Sequence, residues 1–118
     1  MSVTSPGRLL HPSKVRAARA RLLAGSAASL VQQVRQVICE PTRTQIVRAL
    51  SPGPLSVTDL AAAIGRSRSA ASKHLRVLRA ENVVQRRYRG RVAYYSLTAD
   101  QVAQSSLMAL EIVARAAS

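Results

Sequence analysis

Apolar residues recur at helical spacing in the first third of the chain. After a start rich in Ser, Pro and Gly, a basic segment follows Ser13, a residue type that caps helices well. Beyond it, apolar positions alternate between four-residue and three-residue spacing: Leu23, Ala27, Leu30, Val34 and Val37. This spacing predicts one apolar stripe on a helix that can pack on another helix. Gly25 either interrupts the helical run or lies within it.

The middle of the chain contains three shorter helical patterns separated by turn residues. Pro41 suits the first turn of a new helix, and residues 51–54 read Ser-Pro-Gly-Pro, which predicts a turn. Ser56 is followed three residues later by an aspartate, as in a capping box, and Gly65 ends the short helix that results. Ser67 is then placed to cap the next helix.

Residues 82–97 change to a β-rich composition with Arg89 and Gly90 at the bend, which predicts a hairpin. Tyr95 and Leu97 are two residues apart in the return strand, so both would face the interior and anchor the hairpin. A second capping box, Thr98 with Gln101, predicts a last helix with one apolar stripe: Ala103, Leu107, Leu110 and Ala114.

The order of these elements is helix, helix, short helix, turn, helix, hairpin, helix, which is typical of a winged helix-turn-helix. We therefore predict a mainly α fold, with α-helices plus one β-hairpin wing, in a single domain over residues 13–118. Residues 1–12 are expected to form a mobile N-terminal arm. Because the 118 residues include no Phe or Trp, the core must consist of Ala, Val, Ile and Leu.

Charge points to the class of partner. The chain has 18 Lys and Arg against 5 Asp and Glu, a formal net charge of +13. A protein this basic repels itself and is attracted to polyanions. Nucleic acid is the first candidate and an anionic membrane surface is the second.

The helix after Ser67 separates its apolar and basic residues onto two sides. Ala71, Leu75 and Leu78 cluster on one side, where they can pack on the preceding helix. The other side can enter a DNA major groove, with Arg68 reading guanine and neighbouring cations holding phosphates. Together with the wing, the predicted DNA contacts are Arg66, Ser67, Arg68, Ser69, Ser72, Lys73, His74, Arg76, Arg86, Arg87, Arg89 and Arg91. The alternatives are a solvated basic face on the helix and arginines that block edge pairing in the hairpin.

Residues 37–97 resemble the arsenic-repressor (ArsR/SmtB) family of winged-helix transcriptional regulators. The resemblance lies in EPTRTQIVRAL and, most specifically, in SKHLRVLRAENVV followed by YYSL. It implies a homodimer, built on the first and last helices, that binds a palindromic operator in double-stranded DNA. It also implies repression that an effector relieves. For this chain a small-molecule effector, a redox effector and no effector at all stay open.

The two apolar stripes suit this dimer, and their alternative role is packing within one subunit. The predicted dimerisation residues are Leu23, Ala27, Leu30, Val34, Ala103, Leu107, Leu110 and Ala114.

The sequence departs from the family at its metal sites. Metal-responsive members carry Cys-Val-Cys before Asp-Leu in the short helix, whereas this chain has Ser56 and Thr58 at the two cysteine positions. The family's other common metal site uses Asp and His pairs on the last helix, and this helix has no histidine. We therefore predict no metal and no cofactor. The single cysteine, Cys39, is either a small buried residue or a thiol switch.

No nucleophile–base pair and no glycine-rich phosphate loop occurs, so we do not expect an enzyme. The chain shows neither a signal peptide nor a membrane span, which predicts a cytoplasmic protein without a membrane partner. Two other function classes stay open: an architectural nucleic-acid-binding protein without an effector, and an antitoxin-like protein-interaction module.

Overall fold

A computed structural model of the protein describes residues 8–22 and 25–117, and the side chains of 25–27 lie outside that description. Within these ranges it contains six helices and three strands, which confirms the mainly α winged helix-turn-helix. The elements in chain order are α1 (Pro12–Leu22), α2 (Gly25–Ile38), α3 (Pro41–Ala49), β1 (Leu55–Ser56), α4 (Val57–Ile64), α5 (Arg68–Ala80), β2 (Val84–Arg89), β3 (Val92–Leu97) and α6 (Gln101–Ala117).

The first helix begins two residues earlier than a cap at Ser13 would require. The His11 carbonyl accepts a hydrogen bond from the Val15 N–H at 3.1 Å, which closes the first turn with Pro12 in the first helical position. Proline is favoured there because its missing N–H would have no partner within the helix. Ser13 therefore lies inside α1. The predicted mobile arm falls largely on residues 1–7, outside the described residues.

Local signals position the helix-turn-helix as predicted. Pro41 is the first residue of α3, and the Ser56 Oγ caps α4 by accepting from the Asp59 N–H at 3.2 Å. Gly65 ends α4 in the left-handed region at φ +68°, where a residue with a Cβ would be strained. The Ser67 Oγ then caps α5 by accepting from the Ala70 N–H at 3.1 Å.

The sheet contains the predicted hairpin and one strand that the sequence analysis missed. β2 and β3 pair antiparallel from Val84 opposite Leu97 to Arg89 opposite Val92, so the turn lies at residues 90–91. Gly90 has φ +62°, as tight two-residue turns require at their first position. The short strand β1 pairs with the other edge of β3 and gives the order β1-β3-β2.

The core lies where α3, α4, α5 and α6 meet the base of the hairpin. Its buried members are aliphatic, as predicted: Val37, Ile46, Val47, Leu50, Leu60, Leu75, Leu78, Val83, Val84, Val102 and Ala103. Tyr95 and Leu97 of β3 pack against this cluster, which confirms that the return strand anchors the wing.

The start of α6 differs from the predicted capping box. Gln101 is the first helical residue, and the Asp100 carbonyl accepts from the Gln104 N–H at 3.1 Å, so Asp100 rather than Thr98 holds the cap position. The Thr98 hydroxyl instead donates to the Asn82 carbonyl at 2.6 Å. Thr98 thus fastens the segment before α6 to the loop between α5 and β2, a contact that no local pattern reveals.

Truncation of the buried side of α5 should destabilise the domain. Leu75 is 1% exposed, so Leu75→Ala should lower the free energy of unfolding by about 2–5 kcal/mol through reduced burial and a residual cavity. Urea denaturation at one fixed protein concentration measures this. The neighbouring exposed Arg76→Ala is the control and should change it by less than about 0.5 kcal/mol. Equal losses in the two variants would contradict the packing of α5.

Candidate nucleic-acid interface

One side of α5 is a continuous basic and hydroxyl surface. We call it the basic face, and it consists of Arg68, Ser69, Ser72, Lys73 and Arg76, all exposed. Arg66 and Ser67 are exposed immediately before it. The opposite side of α5 is buried at Ala71, Leu75 and Leu78, as the sequence pattern predicts. The basic face therefore points outward because the apolar side is packed in the core.

The N-terminal end of α5 favours anions for two independent reasons. The helix carries no acidic residue in its first turn, and free backbone N–H groups give a helix N-terminus a partial positive charge. Arg68, the first helical residue, adds a full charge at the same end. Since the serines of the basic face are short, a partner can approach the backbone closely.

The wing presents arginines on both of its faces. In an antiparallel pair, residues that lie opposite each other share a face of the sheet. Arg86 lies opposite Tyr95, which packs on the core, so Arg86 is on the core-facing side. Arg87 lies opposite Tyr94 on the other face, with Arg89 two positions along. All the wing arginines are exposed: Arg86, Arg87, Arg89 and Arg91.

Tyr88 is a feature of the wing that the sequence analysis missed. It is 61% exposed, and the Arg86 guanidinium carbon lies 5.3 Å from the centre of its ring. This cation–π contact is worth about 0.5–1 kcal/mol at an exposed site and restricts Arg86 to fewer conformations. The sequence signal that could have revealed this contact is the spacing of Arg86 and Tyr88. They are two residues apart, and residues two apart in a strand lie on the same face.

His74 lies apart from the basic face. It follows Lys73 and is rotated about 100° further around the helix, next to the buried side. Its Nδ1 atom is 3.8 Å from Oε2 of Glu40, at the start of α3. The structure thus brings His74 to a carboxylate, whereas the other predicted contacts on α5 are exposed. A DNA contact for His74 stays a prediction.

Glu40 and Glu81 lie on the side of α5 away from the basic face, in contact with α3. Glu40 Oε2 accepts from the Arg43 N–H at 2.8 Å, and the Arg43 Nη1 atom is 4.0 Å from a Glu81 carboxylate oxygen. Partial burial raises the pKa of Glu40, but backbone hydrogen bonds and the charges of His74 and Arg43 outweigh it, so the pKa is lowered from 4.5. Glu40 is therefore a charged cap at neutral pH.

Cys39 is exposed in the last turn before α3, and its N–H donates to the Arg35 carbonyl at 3.0 Å. The expectation of a small buried residue was wrong, because α2 turns this position away from the core that Val37 enters. The thiol-switch interpretation stays a prediction.

The predicted dimerisation residues that the structure describes are half-buried, except for one that is fully buried. Ala103 is fully buried in the core, so its assignment to a dimer surface was wrong: periodicity identifies a stripe but not the partner that covers it. The half-buried members are Leu30, Val34, Leu107, Leu110 and Ala114. Leu23 and the side chain of Ala27 lie outside the described residues.

A different set of apolar side chains is exposed on α2 and α6. Val31 on α2 is 66% exposed, and Met108 and Ile112 on α6 are 64% and 58% exposed. We call these three residues the exposed apolar set. Met108 and Ile112 are four residues apart and therefore share one side of α6.

Neither a metal cluster nor a membrane-spanning helix occurs in the part of the chain that the structure describes. There, no group of three or more His, Cys, Asp or Glu side chains could hold a metal ion. None of the helices in the same part is long and apolar enough to cross a membrane.

Comparisons with known proteins agree with this geometry. The family model described as "Bacterial regulatory protein, arsR family" matches residues 40–86, from the cap of α3 into β2. The chain is 35% identical over 94 residues to a transcriptional repressor SmtB homolog of Synechocystis sp., covering 80% of this chain and 71% of that protein. It is 45% identical over 82 residues to the HTH-type transcriptional regulator NmtR of Mycobacterium tuberculosis, covering 70% and 68%. Among solved structures, the transcriptional repressor BigR of Xylella fastidiosa has a TM-score of 0.68 at 29% identity, covering 79% of this chain and 94% of that one.

The charged cap at Glu40 should make stability depend on pH. A carboxyl whose pKa is lower in the folded state stabilises the protein above its unfolded value, here 4.5, and loses that contribution as pH falls through the folded value. Glu40→Gln should therefore lower the free energy of unfolding by about 0.5–1 kcal/mol at pH 7, and the difference should shrink below pH 4.5. Denaturation from pH 3 to 7 measures this.

Glu111→Gln is the control for that experiment. Glu111 makes a surface pair with Arg115 one turn away on α6, at 4.0 Å, so its removal should cost less than about 0.5 kcal/mol. A Glu40→Gln effect that stays constant from pH 3 to 7 would argue against a charged cap.

Proposed function

The chain belongs to the arsR family of bacterial regulatory proteins, and from this premise we propose that it is a homodimeric repressor of transcription that binds a palindromic operator. One observation carries the proposal: the basic face of α5 is held outward by the burial of Leu75 and Leu78, beside a hairpin with four exposed arginines. An α-helix fits the major groove of B-DNA, where base edges present a readable pattern.

We assign different tasks to the two parts of the interface. Arg68, at the N-terminal end of α5, reads a guanine edge, and Ser69 and Ser72 contact base or phosphate where the backbone comes close. Lys73 and Arg76 hold phosphates. The wing arginines bind phosphates of the DNA backbone beside the groove. The ring of Tyr88 keeps Arg86 extended for this contact. Phosphate contacts set register and affinity, whereas base contacts set sequence preference.

The exposed apolar set supports a twofold dimer. Val31, Met108 and Ile112 expose large aliphatic side chains on two helices that pack on each other within the subunit. Burial of such side chains against a second copy is favourable by about 25 cal/mol per Å² of apolar surface. A symmetric dimer presents two copies of α5 and matches a palindromic site. We therefore replace Ala103 in the predicted dimer surface by this set.

Two arginine variants should distinguish recognition of bases from binding of phosphates. Arg68→Ala should reduce the preference for the operator over random DNA, because it removes a base contact worth about 1–3 kcal/mol. Arg89→Ala should weaken binding to all sequences about equally and flatten the dependence of affinity on salt. The site is first selected from a random duplex pool, and each variant is then titrated against it and against mixed-sequence DNA.

The same titration distinguishes the proposed repressor from an architectural protein. The wild type should prefer its selected site by about a thousandfold or more over mixed-sequence DNA. Failure to enrich any sequence would favour the architectural alternative. Equal losses on both DNAs for both variants would refute the division of tasks.

Charges placed on the exposed apolar set should dissociate the dimer. Met108→Asp with Ile112→Asp would place two unpaired carboxylates from each subunit, four in all, in the interface, at a cost of several kcal/mol. Sedimentation equilibrium should show a monomer at concentrations where the wild type is a dimer. Val92→Asp is the control, since Val92 is another exposed aliphatic residue but lies in the wing. Dimers in the double variant, or a monomeric wild type, would disprove this interface.

A further inference from the structure

The first helix carries a strong positive charge that is not part of the proposed interface of α5 and the wing. Over residues 8–22 the chain has five cations and no Asp or Glu: Arg8, Lys14, Arg16, Arg19 and Arg21. All five are exposed, and α1 contains no buried residue. Within the part of the chain that the structure describes, none of these side chains makes an ion pair or a side-chain hydrogen bond. The positive charge of α1 is therefore uncompensated within the described subunit.

An isolated helix of this kind needs an external source of stability. α1 has eleven residues, and helices shorter than about 12–15 residues are marginal in water. Arg16 and Arg19 are three residues apart, so they are neighbours on the helix surface and repel each other. Only Val15 among the residues of α1 is half-buried, so packing supplies little. A negatively charged surface would relieve the repulsion.

The distribution of charge around α1 favours duplex DNA as that surface. At about 100° per residue, Lys14 and Arg21 fall close together, while Arg16 and Arg19 fall on the opposite side. A helix lying in a groove of DNA has a row of phosphates on each side, which matches cations on two sides. The three alanines of α1 are small and permit close approach.

A membrane surface fits α1 less well. Helices that lie on membranes bury a broad face of bulky apolar residues, usually with Trp, Phe or Leu. Apart from alanines, the apolar residues of α1 are Pro12, Val15 and Leu22, and none is aromatic. Leu9 and Leu10 are exposed too, but they precede the helix and do not extend its apolar face. The charge pattern and the narrow apolar face thus both point to phosphates in a duplex.

We propose that α1 is a second, sequence-independent DNA-binding element that holds phosphates flanking the operator. The position beside an operator rests on the proposed function, whereas the contact with duplex phosphates does not. α1 is about 16 Å long at about 1.5 Å per residue, so two copies in a dimer lengthen the bound DNA on both sides.

The test compares two variants of the full chain with the same net charge. The α1 variant carries Arg16→Gln, Arg19→Gln and Arg21→Gln, because Gln keeps nearly the same helix propensity as Arg. The control variant carries Arg35→Gln, Arg48→Gln and Arg115→Gln, which are exposed positions on α2, α3 and α6. The probes are duplexes of about 20 and about 44 base pairs with the selected site at the centre, titrated over a range of salt concentrations.

The α1 variant should bind the longer duplex about tenfold or more weakly than the wild type and should be affected much less on the shorter one. Its plot of log affinity against log salt should flatten by about 0.9 for each phosphate that the variant no longer neutralises. The control variant should show a smaller decrease in affinity that is similar for the two duplexes. Replacement of the same three α1 arginines by lysine should restore affinity to within about threefold, since phosphates are bound mainly through charge.

Several outcomes would overturn the proposal. They are an unchanged salt slope in the α1 variant, an equal decrease in affinity in the control variant, or a lysine variant as weak as the glutamine variant. Loss of binding to vesicles of anionic phospholipid, with unchanged DNA affinity, would assign α1 to a lipid surface instead. Urea denaturation of each variant checks that the core is intact.

Failure of the operator proposal can be distinguished from failure of the proposal for α1. In that case the wild type shows no sequence preference, and a mixed-sequence duplex of about 44 base pairs replaces the selected one. The salt slopes of the α1 and control variants on that duplex still decide whether α1 holds phosphates.

Discussion

The burial of one side of α5 is the constraint on which the interface depends. Leu75 and Leu78 are almost fully excluded from solvent against α4 and the base of the hairpin, so the helix cannot rotate about its axis without exposing them. That fixes the direction of the basic face. The hairpin is attached to the same cluster through Val84 and Tyr95, so the wing and the recognition helix share one rigid support.

Electrostatic arrangement reinforces this support. The few acidic residues of the chain could neutralise the basic face if they lay beside it, but Glu40 and Glu81 lie behind α5, with Arg43 and His74. Their ion pairs join α3 to α5. The excess positive charge is thereby left on the surface, where it attracts phosphate at long range and makes binding sensitive to salt.

The sequence predicted those features that depend on near neighbours. The caps at Ser56 and Ser67 and the stop at Gly65 were correct, because each acts over three or four residues. The strand β1 was missed, since two residues become a strand only by pairing with distant β3. Thr98 was misassigned for the same reason, as its hydroxyl finds a carbonyl sixteen positions away.

For the candidate site, the sequence predicted which residues of α5 and the wing are exposed, but not how they are oriented or partnered. The amphipathic pattern of α5 sorted Arg68 and Lys73 from Leu75 correctly. It could not reveal that His74 lies beside Glu40, or that Arg86 stacks on Tyr88, because both contacts need three-dimensional placement. The stripe on α6 likewise could not distinguish the buried Ala103 from the half-buried Leu107 and Leu110, and it did not include the exposed Met108.

The strand pairing of the wing limits how this hairpin can vary in evolution. Side chains alternate between faces, so a one-residue insertion inside β2 would exchange the faces of every later position in that strand. Arg87 and Arg89 would then turn to the side that holds Tyr95, and Tyr88 would leave it. Added length at residues 90–91 would preserve the alternation. Homologous chains should therefore differ in length at the tip of the hairpin and keep its strands free of insertions and deletions.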